Sequence, residues 1–90
     1  IKWGYPIVAE SSPFAGDAQA TVGNRRENIT IASSHVYTVA AADENGVTLI
    51  NPWGHNDLSG RNVTTPEAAF TISWEEFYAN YGDITIGTIP

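Results

Sequence analysis

Runs of β-branched and aromatic residues dominate the middle of the chain and predict two paired strands. HVYTVAAA (residues 35–42) has strand composition, DENG (43–46) has turn composition, and VTLIN (47–51) is β-branched again. Asn45-Gly46 is a strong hairpin signal, because both residues tolerate the positive φ that tight turns demand. The pattern therefore predicts a β-hairpin.

Around this hairpin, three segments have strand composition and one has loop composition. The strands are YPIVAE (5–10), in which Pro6 indicates an edge strand or a strand start, the alternating part of NRRENITIASS (24–34), and AAFTI (68–72). SSPFAGDAQ (11–19) clusters Ser, Pro, Gly and Asp, and this composition predicts a surface loop.

The C-terminal third carries the signals of a short helix followed by a last strand. Ser73 resembles an N-cap, and Glu76 three residues later completes a capping box. Gly82 stands where a helix C-cap is expected, and DITIGTI (83–89) then alternates as a strand does. The aromatic residues at the i, i+3, i+4 spacing that packs a helix on a sheet are Trp74, Phe77 and Tyr78.

These elements predict a mainly β (α+β) fold. About five or six strands and one short helix suggest an antiparallel sheet or half-barrel with the helix packed on it. A chain of 90 residues forms a single domain, residues 1–90, which buries one modest core. Because the chain begins with Ile1 and no signal segment follows, we expect it to be part of a longer protein.

Charge and composition exclude several functions. Ten Asp and Glu against four Lys and Arg give a net charge of −6, and Arg25-Arg26 is the only basic pair, which argues against a nucleic-acid partner. No apolar run reaches the length of a membrane span, which argues against a membrane partner. The absence of cysteine excludes a disulfide and a thiol nucleophile within this chain. The Thr, Asn and Ser content suits an exported bacterial protein but does not define a compartment.

His35 and Asn51 lie at the two ends of the predicted hairpin, and Trp53 follows two residues later. A neutral imidazole can take a proton from a thiol or hydroxyl and pass it to a leaving group, provided that its ring is held in one orientation. An amide can hold the ring by accepting from one ring N–H, and an indole can shield that bond. The irregular segment 51–67 is long for so small a domain, which favours a functional role.

The position of the turn decides whether His35 and Asn51 can meet. They would lie directly opposite each other if the turn were centred on Asp43, but the Asn45-Gly46 signal places the centre one or two residues later. Asn51 would then be displaced along the partner strand by about 7 to 14 Å. A wide loop or a β-bulge would restore the pairing, and we predict that one of them is present.

The same residue types also have purely structural interpretations. A histidine at a strand start is often a surface residue, Asn-Pro often ends a strand, and Trp53 fits a core. His55 is typical of a loop histidine. A metal site made of His35, His55 and Asp57 is a further alternative, although nothing in the sequence sets their separation.

The order of the motifs resembles the C-terminal half of the calpain-like cysteine protease core. In that family a His-Ala-Tyr strand leads through a hairpin to Asn-Pro-Trp-Gly, and a variable loop, a WxxF helix and a final strand follow. Here His35-Val36-Tyr37 has Val in place of Ala, while the block at residues 51–54 matches in full. The resemblance covers about residues 5–89.

The resemblance implies a division of roles between two lobes. His35 would pair with a nucleophilic thiol and later protonate the leaving amine, Asn51 would orient the imidazole, and Trp53 would cover the pair. The cysteine would stand on a preceding N-terminal helical lobe of the same parent protein. This chain would then be the His/Asn-bearing β lobe of a thiol endopeptidase acting on polypeptides, inactive alone. Calcium is implied by the family, but no ligand set can be assigned in the loop at 55–69.

Two other functions stay open. The same fold could be a non-catalytic binding or scaffold module that holds a partner with Tyr37, Trp53 and the following loop. The chain could also be a free-standing β-rich domain with an aromatic ligand platform. His35 and Asn51 are necessary for catalysis but not sufficient, and an upstream Cys opening a helix, with a Gln a few residues earlier, would favour the protease.

Overall fold

Strands make up most of the chain in the computed structural model, which describes residues 7–60 and 63–86, with the backbone alone for residues 82–86. The elements in chain order are β1 (Ile7–Ser11), β2 (Asp17–Val22), β3 (Arg25–Thr30), β4 (Val36–Asp43), β5 (Gly46–Ile50), β6 (Asp57–Leu58), β7 (Ala69–Ile72), α1 (Trp74–Asn80) and β8 (Tyr81–Ile86). Seven strands have four or more residues, and β6 has two. No helix within these ranges is long and apolar enough to cross a membrane.

The strands form one open antiparallel sheet in the order β6-β3-β2-β7-β5-β4-β1-β8. The predicted mainly β class with one short helix is therefore confirmed, with more strands than expected. β1 lies between β4 and β8 and is not an edge strand, whereas Pro6, which suggested an edge or a strand start, lies outside the described residues.

The additional strands include β2, which occupies part of the predicted loop at residues 11–19. Its inward positions Ala18 and Ala20 are fully buried, but alanine contributes little to a hydrophobic pattern. A turn signal was present in the sequence, because Gly23-Asn24 forms the two-residue loop between β2 and β3, and Gly23 has φ +63°. The predicted loop shortens to the residues between β1 and β2.

One face of the sheet is buried and the other is polar. Neighbouring strands place Leu49 opposite Phe70, and both side chains are fully buried. On the opposite face, Thr48 and Thr71 join their hydroxyls at 2.7 Å. This alternation is typical of an antiparallel sheet with one dry face. The buried hydrophobic residues are Ala9, Ala18, Ala20, Val22, Ile29, Ile31, Tyr37, Val47, Leu49, Phe70, Ile72, Phe77 and Tyr81.

The helix begins at the predicted cap. Ser73 has an extended backbone, and its Oγ accepts from the Glu76 N–H at 3.1 Å. The Glu76 carboxylate accepts from the Gln19 N–H of β2 at 3.0 Å, so the predicted capping box is formed only in its Ser73 half. The acidic side chain instead satisfies a backbone donor of the neighbouring sheet.

The predicted C-cap and the predicted aromatic face of the helix both require correction. Tyr81, not Gly82, is the C-cap, because its backbone is already extended and its buried ring stacks on Phe77 at 5.0 Å between centroids. Phe77 is buried and Trp74 half-buried, but Tyr78 is 72% exposed. Tyr78 stacks on Trp74, with ring centroids 5.8 Å apart, and is not part of the buried core.

The turn between β4 and β5 is tight and centred on Glu44-Asn45, one residue before the Asn-Gly pair. Asp43 pairs with Gly46, and Asp43 Oδ1 accepts from the N–H of Asn45 at 2.8 Å and of Gly46 at 3.2 Å. Asn45 does not have the positive φ that the Asn45-Gly46 hairpin signal predicts. Only glycine fits at position 46, because a Cβ there would overlap the carbonyl oxygen of Ile72.

We expect Gly46→Ala to lower the free energy of unfolding by about 1–3 kcal/mol, because the added methyl must displace the backbone of β7. Gly16→Ala is the matched control, since a Cβ at Gly16 meets none of the described residues within 4 Å. Urea unfolding followed by tryptophan fluorescence measures both variants. Equal unfolding midpoints would contradict the close approach of the two strands.

Candidate active site

A β-bulge in β4 brings His35 and Asn51 to the same face of the sheet. The register with β5 shifts by one residue within residues 39–41, which pairs Thr38 with Ile50. Continued by one residue beyond β5, this register sets Tyr37 opposite Asn51. Without this shift Thr38 would lie opposite Asn51. Because side chains alternate between faces, His35 shares the face of Tyr37, two residues away, but not that of Thr38. The predicted bulge is therefore confirmed, and the alternative of a wide loop is not needed.

The imidazole of His35 is held among an amide and two aromatic rings. Its Nε2 lies 3.1 Å from Asn51 Oδ1. The Trp53 indole covers the ring, with centroids 4.2 Å apart and planes tilted by 36°. Tyr37 meets the imidazole edge-on at 5.0 Å. The structure thus brings together the three residues that the sequence singled out, His35, Asn51 and Trp53.

The orientation of the Asn51 amide determines which ring nitrogen carries the proton. Oδ1 also accepts from the backbone N–H of Trp53 at 3.0 Å, and that group can only donate. The amide atom facing His35 is therefore an oxygen, which can only accept. Nε2 must carry the ring proton, and Nδ1 keeps its lone pair.

Nδ1 of His35 is the nitrogen that can perform chemistry. No hydrogen bond joins it to any residue in 7–60 or 63–86, and within the same ranges no carboxylate forms an ion pair with the ring. Asn51, which anchors the ring, is 3% exposed, whereas His35 is half-buried and Trp53 is 51% exposed, so solvent reaches part of this site. Such a ring can take a proton at Nδ1 while its Nε2–H stays bound.

Ser11, at the end of β1, holds the backbone of His35. The His35 N–H donates to Ser11 Oγ at 2.8 Å, and the Ser11 N–H donates to the His35 carbonyl at 2.8 Å. The Ser11 hydroxyl in turn donates to the carbonyl oxygen of Ala32. Ser34, just before His35, has φ +49°, a region that non-glycine residues seldom adopt. Because Ser11 is only 2% exposed, the hydrogen bonds that it makes at the start of β4 are shielded from water.

Tyr37 lies against the imidazole but is not a base. Burial raises the pKa of its hydroxyl, the hydrogen bond from the Ala32 N–H at 3.0 Å lowers it, and the charge of Asp57 raises it again. The net pKa lies above the ordinary value of tyrosine. The hydroxyl therefore stays protonated near neutral pH, and Tyr37 acts as a packing surface.

The metal alternative does not assemble. The His55 ring lies 6.2 Å from the Trp53 ring, on the loop after β5. Within the ranges 7–60 and 63–86, no group of three or more His, Asp or Glu side chains could hold a metal ion. The set of His35, His55 and Asp57 considered from the sequence is therefore not brought together.

Asn56 is a residue of this site that the sequence analysis missed. It is 2% exposed, and its Oδ1 accepts from Asn51 Nδ2 at 3.3 Å. Its backbone N–H donates to the hydroxyl of Thr65 at 3.2 Å. No local signal separates Asn56 from the other asparagines of the loop, because the partners become neighbours only when the loop folds back beside β7.

No family model, curated protein or solved structure matches this chain. The calpain-like resemblance therefore depends on the residue motifs of the chain itself. The geometry of His35, Asn51 and Trp53 is an observation that stands apart from that resemblance.

We expect Ser11→Ala to lower the free energy of unfolding by about 1–3 kcal/mol, because the buried His35 N–H loses its acceptor. Ser33→Ala is the control, since Ser33 is exposed and, among the described residues, its hydroxyl reaches only the Ala15 carbonyl, at 3.5 Å. Urea denaturation measures both. A Ser11→Ala variant as stable as Ser33→Ala would argue against a stabilising role for the hydrogen bonds between Ser11 and the His35 backbone.

Proposed function

We propose that this chain is the His/Asn-bearing β lobe of a calpain-like cysteine endopeptidase, a thiol protease. The observation that carries the proposal is the 3.1 Å hydrogen bond between His35 Nε2 and Asn51 Oδ1, with the oxygen held in place by the Trp53 N–H. It supports the proposal because a proton-transfer imidazole must present one nitrogen to its substrate and anchor the other.

The chemistry of the amide agrees with a thiol rather than a hydroxyl nucleophile. A thiolate and an imidazolium balance each other's charge, so the group that orients His35 need not be a carboxylate. Asn51 orients the ring without adding a negative charge. The chain has no cysteine, so the thiol would come from an N-terminal lobe of the same parent protein.

The reaction would use His35 twice. Nδ1 takes the thiol proton to give a thiolate–imidazolium pair. The thiolate attacks the scissile carbonyl carbon, and the imidazolium then gives its proton to the amine nitrogen as the C–N bond breaks. Nδ1 then takes a proton from the water that attacks the thioester, and the thiol regains a proton as the C–S bond breaks. Through all steps the Nε2–H stays bonded to Asn51 Oδ1, so the ring keeps one orientation.

Trp53 would form part of the wall of the substrate cleft. One face of its indole covers the imidazole, while half of its surface stays exposed. An apolar surface next to the reacting nitrogen can exclude water and support an extended polypeptide substrate. The same surface could serve a non-catalytic binding module, which the following experiment separates from the protease.

We expect a thiol-directed epoxide peptide probe to label one cysteine of the full-length parent protein, as read by mass spectrometry. His35→Ala should slow labelling by about 10²–10⁴-fold, the contribution typical of a positioned acid–base group. His55→Ala is the matched control and should label at the unmodified rate, since no hydrogen bond joins His55 to Asn51 or His35. Parallel reactions with calcium and with a chelator test the cation that the resemblance implies.

The outcomes separate the two functions. Labelling that is lost in His35→Ala and kept in His55→Ala supports the protease. No labelling of a folded parent protein, with or without calcium, would favour the binding module. Labelling that is insensitive to His35→Ala would remove His35 from the reaction.

A further inference from the structure

We propose that Asn56 is a positioning residue that acts through Asn51 to keep His35 in its Nε2–H tautomer. The catalytic meaning of this role rests on the proposed function, but the role itself is a property of this chain. The sequence does not point to Asn56, and the inference comes from a continuous chain of hydrogen bonds that runs from the backbone of the loop to the imidazole.

The chain of hydrogen bonds begins at two backbone carbonyl groups. Asn56 Nδ2 donates to the carbonyl oxygens of Glu67 at 3.1 Å and Ala68 at 3.0 Å. Carbonyl oxygens can only accept, so the amide of Asn56 cannot flip without placing its oxygen against two others. Reciprocal bonds with Thr65 fix the backbone: the Asn56 N–H donates to Thr65 Oγ1, and the Thr65 N–H donates to the Asn56 carbonyl at 2.7 Å.

The fixed oxygen of Asn56 then determines the orientation of Asn51. Because Asn56 Oδ1 can only accept, the group of Asn51 that faces it must be Nδ2, at 3.3 Å. The Asn51 backbone N–H also donates to the carbonyl of Ala68, which Asn56 shares. A flip of Asn51 would bring two oxygens together and lose the bond from the Trp53 N–H. Two independent partners therefore hold the same orientation.

The last step fixes the imidazole. With Asn51 Oδ1 toward the ring, the Nε2–H tautomer of His35 gains a hydrogen bond. In the Nδ1–H tautomer, the lone pair of Nε2 would face the lone pairs of Asn51 Oδ1, which is unfavourable. Both asparagines are nearly inaccessible to water, at 3% for Asn51 and 2% for Asn56, so water cannot replace a lost partner. Removal of the Asn56 acceptor should therefore make the flipped amide and the wrong tautomer easier to reach.

The test is the tautomer ratio of His35 in the ¹⁵N-labelled chain, read from long-range ¹H–¹⁵N spectra at a pH where the imidazole is neutral. In the unmodified chain we expect His35 to be almost entirely Nε2–H. Asn56→Leu should lower the ratio of Nε2–H to Nδ1–H by about fivefold, the factor that one buried hydrogen bond contributes to an equilibrium. His55, the only other histidine, is the internal reference.

Two further variants separate positioning from loop stability. Asn56→Asp keeps an oxygen that accepts from Asn51 Nδ2 but places its other carboxyl oxygen against the two loop carbonyls. It should destabilise the loop and still keep the His35 ratio. Thr65→Val removes the hydroxyl that bonds Asn56 N–H and the Glu67 carbonyl without touching Asn51. It should destabilise the loop and leave the ratio unchanged.

Several results would overturn the proposal. A folded Asn56→Leu variant with an unchanged ratio would do so, as would a fall in Thr65→Val equal to that in Asn56→Leu. If Asn56→Leu does not fold, the unmodified chain can still contradict the proposal, because a His35 ratio equal to that of His55 would mean that the imidazole is not positioned at all. If the tautomer ratios contradict the proposal but the epoxide probe labels the parent protein as expected, only the role of Asn56 is lost. If the ratios are as expected but the probe labels no cysteine, only the protease function is lost.

Discussion

One extra residue in β4, at the bulge over residues 39–41, decides which side chains of the hairpin share a face. The tight turn closed by Asp43 and Gly46 would by itself send His35 and Asn51 to opposite faces of the sheet. The bulge reverses this parity at the cost of one unpaired backbone position. The contacts among His35, Asn51 and Trp53 all depend on that parity, and no adjustment of side-chain rotamers could replace it.

Once the two residues share a face, buried polar groups determine the geometry. Asn51 and Asn56 are almost completely removed from water, and such amides are tolerated only when their donors and acceptors are paired. The carbonyl groups of Glu67 and Ala68 supply the partners. The long segment after β5 contains the short strand β6 and is not wholly irregular. It has a structural role, because it folds back to complete the hydrogen bonds of the amides.

Burial changes steeply across the site, and this gradient agrees with the proposed division of labour. Asn51 is dry, His35 is half-buried and Trp53 is half-exposed. Hydrogen bonds at the dry end are strong and hold one orientation, whereas Nδ1 makes no hydrogen bond to any of the described residues. A sheet with one buried face suits this role, since the candidate site lies where the core gives way to solvent.

From local patterns alone, the sequence determined the mainly β class, the central hairpin, the Ser73 helix start and the candidate residues His35, Asn51 and Trp53. These features depend on residue periodicity, capping chemistry and spacing, which act over a few neighbouring residues. Only the tertiary structure decided that β2 is a strand despite its small inward alanines, that a bulge and not a wide loop corrects the register, and that Asn56 supports Asn51. For β2 the Gly23-Asn24 turn is a local signal, but the burial of its alanines is not. The bulge and the role of Asn56 depend on partners that are brought together by folding, and such partners leave no local pattern in the chain.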